Sequence, residues 1–275
     1  MNFFEKILYF LDATMETPTN FGWFHLMFIA IVILTTVFLC IKFKDCDDKA
    51  FRRIALIGWI LILALEIYKQ LNFSFNYDGT SVIWDYQWYA FPYQFCSTPI
   101  FVLPFIAFFK ENKFRDMLVA YMATFSLFAG LAVFAYPNDV FIDTIGINIQ
   151  TMIHHGLQVV FGIYFAVYAR KKLNLQYFLK SIPVFSALTL FAIILNISVY
   201  HIFVAQGIDE TFNMFYISPY FSCTLPVLSI VYEKVHYSIF IILYVLGFTF
   251  VAYLVYNIEK LIIKFSTRKK AYDKQ

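Results

Sequence analysis

Long apolar runs broken by short charged segments dominate the chain, and seven of them approach the roughly 20 residues that an α-helix needs to cross a bilayer core. They lie near residues 21–43, 54–72, 92–109, 117–136, 147–169, 177–203 and 236–258. Ahead of them, the spacing of Phe3, Phe4, Ile7, Leu8 and Leu11 predicts a short helix with one apolar face, too short to span and suited to lie in the interface. A cleavable signal peptide starts basic and ends at small residues; this start carries Glu5, Lys6 and Asp12 ahead of Pro18, so the N-terminus is expected to be retained.

The basic residues set the expected orientation, because cytoplasmic loops hold the Lys and Arg excess. Most of the 21 Lys and Arg fall between spans one and two, three and four, five and six, and after span seven, whereas residues 74–91 and 137–146 hold none. The expectation is an all-α membrane protein: a single domain over 1–275, built as a seven-transmembrane-helix bundle with its N-terminus outside and its C-terminus cytoplasmic. Composition agrees, with 61% hydrophobic and 14% charged residues where soluble domains keep about 25% charged. The net charge of +3 and the scatter of basic residues do not form a nucleic-acid surface. Heavy use of Phe, Ile, Lys, Asn and Tyr fits a low-GC bacterium and hence the cell (cytoplasmic) membrane.

Polar groups inside spans are costly and mark sites by their depth. Counting outward from the basic residue at each inner end, Glu66, Cys96 and His155 fall at about 20, 21 and 22 Å. Asn196 and His25 follow at about 24 and 26 Å. Five spans thus place a polar or reactive side chain in the outer third of a core about 30 Å thick. His25 and His201 read as interfacial residues, and Asn196 as a bond between helices. His154 and His155 are neighbours about 100° apart on a helix, so one is expected to face a pocket while the other packs or bonds.

Cysteine chemistry needs a thiolate, a base and donors for a developing oxyanion. Cys96 follows Pro92 at an expected helix start, where unpaired N–H groups favour a thiolate. His155 or His154 can serve as the base, with Gln94, Ser97 or backbone N–H groups as donors. Cys40 and Cys46 read as inert fillers, and the four cysteines show no metal-type spacing. A site at this depth faces acyl chains and glycerol esters, so its expected substrate is a membrane phospholipid. The apolar segment 205–235, with Phe212, Phe215, Tyr216, Tyr220, Phe221 and Leu225, reads as a membrane-hugging lid.

These residues carry a resemblance. Pro92 through Ser97, Gly130 through Asp139, the His155-Gly156 pair, and Asn213, Phe215, Tyr216 and Pro219 occur in an order that resembles the YwaF-type bacterial membrane family. Its TMEM-type animal relatives are Cys-dependent multi-pass phospholipid acyltransferases. Gln94 stands where that family often has His, Asn138 where Asp is usual, and Met214 interrupts an Asn-Tyr pair. The resemblance implies an acyl-thioester on Cys96 passed to a lysophospholipid without a diffusible cofactor, with Asn213 and Tyr216 among the supporting residues. Three other readings stay open: a proton-coupled carrier using Glu66 and the histidines, a seven-span receptor or sensor, and a metal-dependent lipid hydrolase. The last needs His25 or His201 with Glu66 or Asp85 as ligands.

Overall fold

A computed structural model describes residues 1–138 and 140–272, with side chains to residue 265; Asp139, part of the loose Pro-Asp match, lies outside the described residues. The chain forms α1 (Phe3–Leu11), α2 (Trp23–Lys42), α3 (Asp48–Asn72) and a hairpin of β1 (Phe75–Tyr77) and β2 (Val82–Trp84). There follow α4 (Pro99–Phe108), α5 (Lys113–Tyr121), a π-turn at Met122–Ser126 and α6 (Leu127–Ala135). The last elements are α7 (Ile145–Tyr168), α8 (Leu175–Leu179), α9 (Ser181–Gln206), α10 (Leu228–Tyr232) and α11 (Tyr237–Tyr272). Among the described residues, four helical stretches are long and apolar enough to cross a membrane: Trp23–Lys42, Lys113–Ala135, Leu175–Gln206 and Tyr237–Phe265. The stretch Phe95–Phe108 is apolar but shorter. The protein is therefore an integral, multi-pass membrane protein.

The bundle is organised around α7, which packs against α2, α3, α6 and the π-turn, and most of whose residues are buried. Its sequence, INIQTMIHHGLQVVFG, is polar on one stripe, and such a stripe is tolerable in lipid only when other helices enclose it. The peripheral helices show the converse pattern, with Leu34, Leu190, Leu246 and Phe250 all exposed. Apolar side chains on the outside and polar ones within are what a hydrocarbon solvent selects. Small residues let α7 close on α6 and on α2: a Cβ on Gly130 would stand 2.7 Å from the His155 carbonyl oxygen, and one on Gly156 2.6 Å from Val32 of α2.

Two local features depart from the sequence reading. The expected third span begins late: residues 95–97 form a single 3₁₀ turn and α4 starts only at Pro99, whose missing N–H suits a first helical position. Cys96 therefore sits in an irregular segment just before the helix rather than in its first turn.

The middle of the segment 205–235 does not lie over the bundle as a lid but folds into it, while most of the rest of the segment stays exposed or half-buried. Phe212, Met214, Phe215 and Ile217 are fully buried, and Cys223 is nearly so. Its apolarity is that of a plug folded back into the core, with Phe215 stacked on Tyr93 at 5.6 Å between ring centroids. Phe215 and Tyr216 adopt positive φ of 59° and 57°, an unfavourable conformation for such bulky residues. Hydrogen bonds hold them there: Asn196 accepts from the Met214 N–H at 2.7 Å and donates to its carbonyl at 2.9 Å, and the Gln94 Oε1 accepts from the Phe215 N–H at 2.9 Å.

Asn196→Leu strands both Met214 backbone groups in the core and is expected to cost about 2–4 kcal/mol. Thermal unfolding in detergent measures this, and an unchanged midpoint contradicts the anchoring role.

Candidate functional site

Three of the residues counted to one depth line a single cavity of about 280 Å³, Glu66 from α3, Cys96 from the turn before α4 and His155 from α7, and His154 lines it beside them. Ser97, Lys69, Tyr89, Gln150 and Thr151 complete its polar wall, while Phe73, Val140 and Ile142 close it from the 73–91 and 137–146 loops. The cavity thus lies beneath two loops, 74–91 and 137–146, that carry no Lys or Arg. Asn148 pins its cover, its amide donating to the Ile142 carbonyl at 2.7 Å and its oxygen accepting from the Ile142 N–H at 3.0 Å.

The irregular start of α4 exposes the Cys96 carbonyl, and α7 supplies its donors. His154 Nε2 lies 2.8 Å from this oxygen, and Gln158 Nε2, four residues on, donates to the same atom. A carbonyl only accepts, so His154 carries its proton on Nε2 and its Nδ1 is a lone pair; that Nδ1 is buried with no partner among the described residues. The same argument applies to His155. Its Nδ1 donates to the Thr151 carbonyl at 2.8 Å, leaving a buried, unpartnered Nε2 lone pair. Both neutral imidazoles therefore keep a free basic nitrogen. Neither is hydrogen-bonded to the Cys96 thiol, which shares the cavity wall with Ser97, Lys69 and Glu66.

Glu66 is buried, and its Oε1 is held by the Lys69 ammonium and by Gln70 Nε2, each at 2.8 Å. Its Oε2 has no partner among the described residues. Lys69 is thus the one cation lining the described cavity.

Both adjacent histidines line the cavity, although a helix separates their directions by about 100°. Lined also by Ile147, Gln150 and Thr151, the cavity meets both directions of α7. His25 is buried, packed by Phe134 and Phe141 and accepting from the Phe21 N–H at 3.0 Å, outside the cavity lining. Asn196, Asn213 and Gln94 serve the 213–218 turn: Gln94 donates to the Asn213 carbonyl at 3.2 Å, and Asn213 accepts from the Ser218 N–H at 2.9 Å. With both ends of its amide engaged there, Gln94 is not a donor to the cavity. Tyr216 is partly exposed on that turn, and His201 is exposed beside the Tyr220 hydroxyl at 3.2 Å. His25, His201 and Asp85, the ligands a metal site would need beside Glu66, do not line the cavity. Lys69, Gln150, Thr151 and Gln158 escaped the sequence reading. Their signal was present as i, i+3 and i, i+4 spacing from Glu66, His154 and His155.

The TMEM164 family model matches residues 20–256, and the chain belongs to that family. No curated protein and no solved structure matches it.

Gly130→Val is expected to wedge α6 from α7 beside His155 and destabilise the protein by about 1–3 kcal/mol. Gly247→Ala, where an added Cβ meets nothing within 4 Å, is the control and should be neutral or slightly stabilising. Equal unfolding midpoints for the two variants contradict the packing described.

Proposed function

We propose that this TMEM164-family protein is a membrane-embedded acyltransferase that moves a fatty-acyl chain between phospholipid and lysophospholipid through a thioester on Cys96. The observation that carries the reading is the enclosure of one thiol and two imidazoles with free lone pairs in one cavity. Kinship with the YwaF-type bacterial proteins and with acyl-transferring animal relatives belongs to the same reading. So do seven crossings with the N-terminus outside and the C-terminus cytoplasmic, supported by the lack of Lys and Arg in the loops over the cavity. In that orientation the site meets outer-leaflet glycerol esters of the cell membrane.

In the first half-reaction His155 Nε2 takes the Cys96 thiol proton as sulfur attacks the ester carbonyl. The Ser97 hydroxyl and the Lys69 ammonium are the donors within the cavity for the oxyanion. The carbon–oxygen bond to glycerol then breaks, the proton passes from His155 to that oxygen, and lysophospholipid leaves. In the second half an acceptor hydroxyl gives its proton to His155 and attacks the thioester. The thiolate departs and recovers the proton, so two lipids exchange one acyl chain and nothing else is consumed. His154 holds the Cys96 backbone by its carbonyl, which fixes where the thiol stands.

A proton-coupled carrier is less well supported, because Glu66 already has its ammonium partner three residues along the same helix. The two readings separate on Cys96→Ser, which abolishes acyl transfer and leaves a Glu66-dependent carrier working.

Incubation with phospholipid is expected to add one fatty-acyl mass to the intact wild-type protein, removable by hydroxylamine and absent in Cys96→Ser. His155→Asn should slow its formation by about 10²–10⁴-fold. No increment with donor accessible in the same micelles refutes covalent catalysis.

A further inference from the structure

A second cavity, of about 310 Å³, lies at the opposite end of α7, between the turn before α5, the last residues of α7 and α8. Tyr168, in its wall, is 13 residues from His155, about 20 Å along the helix. None of its lining is shared with the Cys96 cavity.

Its acids are already answered. Glu111 and Asp116 both bond to Lys172, the latter at 3.3 Å, and Lys180 approaches Asp116 at 3.7 Å. Its donors are not all answered. Arg115, 2% exposed, donates through Nη1 to Asp48 at 2.5 Å and to the Phe109 carbonyl at 3.0 Å, but its Nε has no partner among the described residues. Tyr177, 3% exposed, likewise has an unpartnered hydroxyl. Lys171 lines the cavity and makes no ion pair within 4 Å among the described residues.

Buried donors without acceptors are rare and costly. Two of them, Arg115 Nε and the Tyr177 hydroxyl, come from different helices and line one space together with the exposed Lys171. We propose that this cavity binds a phosphate-type oxyanion, with Arg115 Nε, the Tyr177 hydroxyl and the Lys171 ammonium as its donors. A tetrahedral anion offers several acceptor oxygens to donors arriving from different directions, and charge-assisted bonds of this kind are the strong ones. Two sources carry that chemistry: the headgroup phosphate of a phospholipid in the adjoining leaflet, and free phosphate. The proposal does not depend on the acyltransferase reading, because it uses no residue of that site.

The test is native mass spectrometry of the full-length protein in detergent with dioctanoyl phosphatidylglycerol and, separately, inorganic phosphate. At least one should bind the wild type and lose about tenfold in affinity in Tyr177→Phe and in Lys171→Gln, while Gly247→Ala, away from both cavities, binds as the wild type does. Lipid binding alone assigns the site to a headgroup; binding of inorganic phosphate that displaces the lipid assigns it to the free anion. Tyr177→Phe removes one oxygen and no packing, and its unchanged thermal unfolding keeps the comparison meaningful. Failure of both probes to bind, or equal affinity in wild type and both variants, overturns the proposal.

Discussion

The arrangement of the candidate site depends on one backbone oxygen. The Cys96 carbonyl accepts from His154 and from Gln158, one helical turn apart on the most enclosed helix of the bundle. That oxygen is available only because Pro99 delays the start of α4 and keeps Cys96 out of a helical ladder. A regular helix through this point would have spent the carbonyl internally and turned the segment into one more apolar span. The double bond instead ties an irregular stretch of chain to α7, and with it the thiol at the cavity wall.

The remaining structure works to make this tie affordable in lipid. A polar α7 is stable only inside a sleeve of other helices, and α2, α3, α6 and the π-turn provide it. Close approach on two sides uses Gly130 and Gly156, whose missing side chains bring neighbouring helices against the His155 turn. From the loop side, Asn148 draws residues 140–142 over the cavity, and the folded-back plug is fastened by Gln94, Asn196 and Asn213. Each of those three amides donates one bond and accepts one, all with backbone groups that would otherwise be unpaired in the core.

Depth along the spans was legible from residue counting, because helical rise converts sequence distance into height. It placed Glu66, Cys96 and His155 together, and they line one cavity. Height says nothing about azimuth, however. Asn196 and His25 share the level yet face the plug and an aromatic pocket of Phe134 and Phe141. The 205–235 segment misled for a related reason, since apolar composition is the same for a chain lying on lipid and one packed into protein. Lys69 and Gln158 were visible only as spacing: Lys69 stands three residues from Glu66 on the same helix, and Gln158 four from His154, but its role comes from a carbonyl freed by a local break in another segment. Lys69, which stands out as a basic residue away from the basic loops, was the stronger clue of the two.

The most direct test of the account is the site of labelling by a long-chain alkyl iodoacetamide in native protein within bilayers, read by peptide mapping over Cys40, Cys46, Cys96 and Cys223. The account predicts that Cys96 reacts first, that Cys223 beneath the plug reacts only on unfolding, and that Gln158→Leu slows Cys96 labelling by loosening its carbonyl. Equal rates at Cys96 and Cys223, or labelling of Cys96 indifferent to Gln158, would contradict it.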